Sequence, residues 1–380
     1  MRIVHILRGK ASPDTINGVN KVVHWMATYQ ARQGHKVEVW GLSASMTPPP
    51  HEREYNLRIF PMTRLRMTLG RELKAAMASL EPGTWVQFHS VFILEFPAIS
   101  RQLRKRGFAY GVTPHGAYSP EVFKKNPWKK HIYFALREAK YLRGASLIQA
   151  IGETEIQNIQ RIAPGVRVVL IPNAQESLPA RTGAAPVNAE RPLIGYCGRL
   201  ATQQKGLDYL IEGFGTYKAK GGAGELWLIG DGEDRVQLER QATKSGAQTH
   251  IRFLGVKMGE ERLDLIAGCD AFIHSSRWDV LPTSCLEAAA LGKPLVVSRE
   301  TNMAEYIERS EAGLVLDETS AAGVMRALER VQVLYGTNQL DQMGEKARLL
   351  MKKEFSWEEH ASKFIAAAEE QIKSQSRIYH

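Results

Sequence analysis

Asp279 and Glu287 stand eight residues apart in SSRWDVLPTSCLEAAALGKPLVV, residues 275–297, just after the apolar run AFIHSS. Between them Val280-Leu281-Pro282-Thr283 reads as a tight loop, because Pro282 lacks an N–H and fixes its own φ. Thr283 or Ser284 is placed to cap a helix through Cys285, Leu286 and Glu287 that Gly292 and Pro294 end. One carboxylate then sits on a loop above a strand end, the other in the first helical turn. The N-terminus of such a helix offers N–H groups and a partial positive charge, which suit a phosphate or a sugar hydroxyl. The competing reading is an ordinary strand–loop–helix unit whose two acids face water.

Other residues of the right type follow strand-like runs. In GYCGRLATQQKGLDYL, Arg199 ends a strand and Lys205 precedes Gly206 and a helix. A planar fork and a point charge at a helix mouth could neutralise a diphosphate, or form structural salt bridges instead. LIGDGE brings Gly230 to a strand end for close backbone approach, or for a tight turn alone. RFLGVK ends a strand in Gly255, where backbone groups could meet a planar base. In the first half, Asn17-Gly18 lies just before a helix, and Gly18 would let a ligand near its N-terminus. His115 follows another strand in the rigid context Thr113-Pro114-His115-Gly116, and His89 ends a third. No DxD, HExxH, GxSxG or Walker GxxxxGK[ST] motif occurs, and no G-x-G-x-x-G follows the first strand of either half.

The elements that position these residues alternate. RIVHIL, KVEVWGL, WVQFH, FAYGV, SLIQA and RVVLIPN read as strands, with helices over 17–33 and near 67–80, 94–106 and 128–143. The stretch 174–192 has little periodicity and reads as a linker. Alternation then restarts with PLIGYCG, ELWLIG, HIRFLG, AFIHSS and PLVVS, and helices over 205–217 and 233–245. Such alternation implies mainly parallel sheets covered by helices, with ligands beyond the carboxyl ends of the strands. A last amphipathic helix carries Phe355, Trp357, Ala361, Phe364, Ile365 and Ala368 at helical spacing.

The 380 residues are enough for two domains, and 44% hydrophobic with 24% charged residues is a globular composition. Cys197, Cys269 and Cys285 form no CxxC pair, which argues for a reducing compartment and against a disulfide scaffold or a zinc site. The apolar part of MRIVHILRGK is too short for a signal peptide and no run spans a bilayer, so a cytoplasmic protein is expected. The formal charge of +10 is uneven: residues 1–180 hold 25 Lys and Arg against 12 Asp and Glu, a net of +13. Nucleic acid, an anionic membrane, an anionic substrate or no partner at all would fit that charge; no nucleic-acid-binding motif accompanies it.

Taken together, these motifs resemble the retaining GT-B glycosyltransferases of family 4, the glycosyl transferases group 1. The resemblance rests on the NG loop at 17–18, TPHG at 113–116, IPN at 171–173, GR…KG at 198–206, GDG at 230–232, FLG at 253–255 and DVLPTSCLE at 279–287. It implies two Rossmann-like α/β domains facing across a cleft. The first, residues 1–180 with the helix of about 357–380, would bind the acceptor; the second, 181–356, would bind the nucleotide-sugar. Arg199 and Lys205 would hold the donor diphosphate and Glu287 the ribose. Asp279 and His115 would face the sugar, the latter as a hydrogen-bonding partner. Leu281 and Thr283 would offer backbone amides, Val256 would approach the base, Gly230 would lie at the donor, and Gly18 near the diphosphate or acceptor. Four positions depart from the family pattern: Asp279 replaces Glu, Val280 replaces Gly, Asn17 replaces the first of two glycines, and Ala174 follows IPN in place of Gly. Asp279 keeps the charge, so activity is expected to survive with an altered sugar preference.

The implied activity is that of a hexosyltransferase using a nucleotide-sugar, UDP-sugars first and GDP-sugars next, in cell-surface polysaccharide synthesis. Retaining glycosidases pair two carboxylates about 5 Å apart. With Glu287 committed to ribose, same-face attack is expected instead, the departing phosphate oxygen taking the acceptor's proton. Arg199, Lys205 and the helix N-terminus would stabilise the leaving charge, with no metal and no cofactor required. The acceptor, a glycan or lipid-linked sugar, is assigned to the basic first domain. RQLRKR at 101–106 and FKKNPWKKHIYFALREAKYLR at 123–143 mix cations with Trp128, Tyr133 and Phe134, as a peripheral contact with an anionic membrane would. Two alternatives remain. A sugar-nucleotide epimerase or hydrolase would need a further general base, and no extra His or Glu cluster is evident. A non-catalytic nucleotide-sugar-binding module would account for the departure at Asp279.

Overall fold

The computed structural model describes residues 1–15, 17–63, 68–124, 127–179, 181, 183 and 189–376. The chain forms two compact units, one of Met1–Asn173 with Trp357–His380 and one of Ala174–Ser356. Ile16, Met67, Lys125, Asn126, much of the expected linker (180, 182 and 184–188) and residues 377–380 lie outside the described residues.

In the first unit seven strands form one parallel sheet: β1 Arg2–Arg8, β2 Lys36–Ser43, β3 Asn56–Pro61, β4 Trp85–His89, β5 Tyr110–Thr113, β6 Leu147–Ala150 and β7 Val168–Leu170. Their order is β3-β2-β1-β4-β5-β6-β7, so strand order reverses between β1 and β4. Central strands are apolar on both faces because helices cover both. On one side Phe88, Phe96, Tyr110 and Tyr141 pack ring against ring, with Phe88 centroids 4.9 Å, 5.5 Å and 5.3 Å from the other three. Burying a ring of this size contributes about 1.5–3 kcal/mol. Helix Trp357–Ser376 returns to this unit and lies on helix Gly18–Arg32. Gln33 ties them by donating to the Glu358 carbonyl at 2.8 Å and the Ser362 hydroxyl at 2.9 Å.

The second unit carries six parallel strands: β8 Leu193–Cys197, β9 Glu225–Ile229, β10 Ile251–Gly255, β11 Ala271–His274, β12 Leu295–Val297 and β13 Gly313–Val315. The order is β10-β9-β8-β11-β12-β13, with its reversal between β8 and β11. Helices Leu207–Ala219 and Ala321–Gly336 pack together through Leu210, Ile211, Phe214, Val324 and Leu328.

Several elements differ from expectation. β3, β13 and helix Glu153–Ile162 carry no strong sequence signal. β3 is a half-buried edge strand, and Arg58 on it stacks over Trp40 and Phe60 rather than facing water. The helix expected over 128–143 is broken by a π-helical turn at Phe134–Glu138. The helix expected from Lys205 begins at Leu207, because Gly206 takes φ +61 after the single turn Thr202–Lys205. The described part of the expected linker is tied to the second unit, where Arg181 pairs with Asp264 at 2.8 Å and Arg191 with Asp270 at 2.8 Å.

Candidate functional site

Both reversals of strand order leave a crevice position at the carboxyl ends of the strands, the ordinary ligand position in an open parallel sheet. The candidate residues sit there in each unit.

In the second unit β8, β9 and β10 are joined at their ends by glycines. The Gly198 N–H donates to the Ile229 carbonyl at 2.9 Å and the Gly230 N–H to the Gly255 carbonyl at 2.8 Å. A side chain at Gly230 would collide with the Gly198 carbonyl, so this glycine's close approach is to its own chain. Gly206 likewise abuts the Ser275 carbonyl. That contact, with the Ser275 hydroxyl donating to the Gly206 carbonyl at 3.1 Å, holds the Lys205 turn on the end of β11.

Lys205 donates to Asp279 Oδ2, and both side chains are mostly buried. His274 Nε2 lies 3.8 Å from the same carboxylate oxygen, and its Nδ1 meets the Ser276 hydroxyl at 2.9 Å. Burial first and the Lys205 ammonium second lower the His274 pKa to about 3, with Asp279 opposing. Burial alone would raise the Asp279 pKa, but Lys205 and His274 outweigh it and the net shift is downward. The site therefore holds an ionised Asp, a Lys and a neutral His. The Asp279 loop is anchored on the segment after β12: its N–H donates to the Glu300 carbonyl at 3.1 Å, and Asn302 Nδ2 donates to the Val280 carbonyl at 2.7 Å.

The helix beyond this loop starts at Thr283 with Pro282 at the cap position, and no side chain caps it. The expected cap by Thr283 or Ser284 is thus corrected. Pro cannot hydrogen-bond from its side chain, and both hydroxyl residues already have helical positions. Starting the helix at Thr283 moves Glu287 into the second turn, not the first. Nor does either acid face water. Glu287 is buried and accepts from Arg262 at 3.0 Å. Leu281 is buried and Thr283 half-buried, whereas Val256 stands exposed beyond β10. The Arg199 side chain is 57% exposed and reaches Gln204 at 2.9 Å and Glu233 at 3.6 Å. Arg277, not singled out from sequence, clamps the Lys205 turn: it bonds Asp208 at 2.6 Å and 2.8 Å and the Thr202 carbonyl at 2.8 Å.

In the first unit Asn17 caps helix Gly18–Arg32, accepting from the Val19 N–H at 3.0 Å and the Asn20 N–H at 3.4 Å. Gly18 opens that helix, so Asn17 already serves part of the N-terminus expected for a ligand. His115 sits half-buried with φ +55, a left-handed conformation uncommon outside glycine, and Gly116 follows at φ +80. The Glu155 carboxylate accepts from the Gly116 N–H and from the Ile151 N–H at 2.8 Å, fixing this turn from below. Burial raises Glu155 to about 7 against those two N–H groups. His115 Nε2 meets His89 Nδ1 at 3.1 Å. His274, His5 and Glu155 escaped the sequence reading. The first two are polar residues inside the strand runs AFIHSS and RIVHIL, a signal easily passed over as a tolerated core histidine.

Two family models match the chain: "Glycosyltransferase Family 4" over residues 16–174 and "Glycosyl transferases group 1" over 183–371. A lipopolysaccharide core biosynthesis glycosyltransferase, LpsE of Rhizobium meliloti, is 31% identical over 181 residues. That likeness spans 47% of this chain and 47% of the other, so about half the length of each. A GDP-mannose-dependent alpha-mannosyltransferase of Mycobacterium tuberculosis is 26% identical over 330 residues, covering 79% of this chain and 80% of that protein. Among solved structures, sucrose-phosphate synthase from Thermosynechococcus elongatus superposes with a TM-score of 0.76 at 18% identity, covering 98% of this chain and all of the other. At that identity the likeness concerns the fold.

Proposed function

From the premise that the chain belongs to the group 1 glycosyl transferases, we propose that it transfers a hexose from a nucleotide-sugar to a glycan or lipid-linked acceptor with retention. The observation that carries this reading is the Lys205–Asp279 pair at the reversal point of the second sheet, one loop before an uncapped helix N-terminus. A diphosphate there competes for the Lys205 ammonium, meets the exposed Arg199 and faces the N–H groups at Leu281 and Thr283. Glu287, which accepts from Arg262, also accepts from the ribose in this reading. Gly230 and Val256 border the base and Asp279 meets the sugar; in the other unit His115 meets a substrate hydroxyl and Gly18 lies toward the acceptor.

Charge argues for the route. A double-displacement mechanism needs one carboxylate free as a nucleophile. Here Asp279 is neutralised by Lys205 and Glu287 by Arg262. We therefore favour same-face attack, in which the departing phosphate oxygen takes the acceptor's proton while Lys205 and Arg199 stabilise the leaving charge. Those cations supply the positive charge, so the reading calls for no metal. UDP-sugars and GDP-sugars are the donor series proposed, the second favoured by the GDP-mannose-dependent relative. For the acceptor side we propose an anionic membrane surface. Trp128, Ile132 and Leu136 are 64%, 52% and 66% exposed on successive turns, amid exposed Lys129, Arg137, Lys140 and Arg143.

The test is a thermal-shift screen of UDP-, GDP-, ADP- and dTDP-sugars. A ligand raises the melting temperature according to its concentration over Kd. One series should stabilise the protein, and Arg199→Ala, which removes an exposed side chain, should weaken its binding roughly tenfold while leaving the unliganded melt unchanged. No shift with any series would refute the donor site.

A further inference from the structure

Behind His115 runs a line of imidazoles. His115 Nε2 meets His89 Nδ1 at 3.1 Å, His89 Nε2 meets His5 Nδ1 at 2.9 Å, and His5 Nε2 meets Gln30 Oε1 at 2.6 Å. The four residues come from the loop after β5, the end of β4, the middle of β1 and helix Gly18–Arg32. His5 and His89 are fully buried, and Phe364 of the last helix closes over His5 with ring centroids 6.0 Å apart. No group of three or more metal-ligating side chains converges among the described residues, and these rings touch end to end.

We propose that His89, His5 and Gln30 are positioning residues that hold His115 as its Nε2–H tautomer, so that His115 Nδ1 accepts a hydrogen bond from a substrate hydroxyl. This rests on the reading that His115 meets substrate. The argument is a count of protons. A neutral imidazole has one N–H and one lone pair, so three rings in line can satisfy three contacts only if every N–H points the same way. Burial keeps the rings neutral, lowering His5 to about 4, His115 to about 3 and His89 well below the ordinary histidine value. The direction is set at the far end. Gln30 presents its carbonyl oxygen to His5, and its amide nitrogen has no hydrogen-bond partner. Thus His5, His89 and His115 each donate from Nε2 toward Gln30, and the lone pair emerges on His115 Nδ1. Were the Gln30 amide reversed, all three protons would reverse and His115 would donate instead. The His115–Gly116 turn held by Glu155 fixes the ring's backbone, and the His115 and His89 planes lie only 28° apart, end to end.

The experiment is imidazole ¹⁵N NMR of the full chain labelled at histidine, in the protein as found and in Gln30→Glu and Gln30→Leu. Expected are Nε2–H signatures for all three rings, retained in Gln30→Glu, whose carboxylate can only accept when ionised. Gln30→Leu removes the acceptor and should shift His115 toward a tautomer mixture. It should also lower kcat roughly tenfold at unchanged donor KM, the scale seen when outer partners of functional histidines are removed. A Nδ1–H signature at His115, or an unaltered tautomer and kcat in Gln30→Leu, overturns the proposal. If Gln30→Leu does not fold, the wild-type and Gln30→Glu spectra decide. Failure of the donor reading shows separately, as absence of any nucleotide-sugar thermal shift in the unaltered protein.

Discussion

The two units bury polar side chains at equivalent places in similar sheets by opposite means. In the amino-terminal unit the buried histidines and glutamines near the strand reversal are neutral and linked in lines. Beside the histidine line, Gln87 donates to Thr113 at 2.8 Å, Thr113 to Gln149 at 3.0 Å and Gln149 to the Ile171 carbonyl at 2.9 Å, crossing from β4 to the end of β7. The carboxyl-terminal unit instead brings full charges inside as pairs, Lys205–Asp279 and Arg262–Glu287. Arg2–Glu38 is a pair of the same kind in the first unit, near the start of β1. Neutral lines avoid the cost of desolvating ions and fix ring orientation. Ion pairs carry that cost, but they hold cations that an incoming diphosphate can claim. The first arrangement suits orienting a hydroxyl, the second suits binding a dianion.

The contrast breaks most visibly at Lys205. Lys205→Ala leaves Asp279 ionised, mostly buried and without its cation, and should destabilise the carboxyl-terminal unit by about 3 kcal/mol. Urea unfolding would measure this, and the nucleotide-sugar thermal response should vanish. Lys205→Met with Asp279→Leu should recover the stability without the response. A loss below about 1 kcal/mol in the single variant would mean that the pair is solvated and the contrast only apparent.

Acidification separates the units next. His5 at about 4, His24 and His115 at about 3 and His89, also well below the ordinary value, belong to the amino-terminal unit, against His274 at about 3 in the other. A histidine with a depressed folded pKa binds its proton in the unfolded chain first. Its contribution is whole above the unfolded value of about 6.5 and is lost as pH falls toward the folded value. Glu155, raised to about 7, acts in the opposite direction: it favours the folded state increasingly as pH falls from 7 toward the ordinary glutamate value. Asp279, lowered, matters only below the ordinary aspartate range. Between pH 7 and 5 each such histidine costs about 2 kcal/mol, so the amino-terminal unit, with Glu155 offsetting about one of its four, should lose on the order of 5 kcal/mol and the other unit about 2 kcal/mol. Pulse proteolysis in urea, with fragments assigned to each unit, would show this. Equal losses would remove the distinction.

How much of this could be read in the sequence follows from the same contrast. Parallel strands buried on both faces write themselves as apolar runs, so β1, β4, β9 and β11 were legible, as was the position of Asp279, Lys205 and His115 just beyond strand ends. Of the four edge strands, β7 and β10 still carry such a run, whereas β3 and β13 lack it and were missed. The partners were harder. Nothing local to Glu287 points to Arg262, 25 residues away on another helix. Nothing in RIVHIL announces that His5 faces His89, 84 residues on, because the contact exists only once β1 pairs with β4. Spacing gave the types and strand ends of the site, while tertiary pairing decided which groups are charged.

Charge left on the surface should cost almost nothing to remove, and that sharpens the comparison at its smallest stability effect. The amino-terminal unit's cations around Trp128, Ile132 and Leu136 are solvated, and Lys129 lies over the Trp128 ring at 5.3 Å. Lys129→Ala with Lys140→Ala should change stability by no more than about 0.5 kcal/mol. Each Lys near an anionic bilayer contributes about 1 kcal/mol, so affinity for phosphatidylglycerol vesicles should fall roughly tenfold or more in co-sedimentation. Added salt should weaken the wild type in the same direction, since the attraction is screened. Trp128→Ser with Leu136→Ser should also weaken vesicle binding, through lost apolar insertion that salt does not mimic. Vesicle binding unaffected by both pairs would leave this face as ordinary solvated surface. Binding lost with the cations but retained without the apolar residues would make it an electrostatic contact alone. Only joint dependence fits a surface that turns its charge, with three uncovered apolar side chains, toward a membrane.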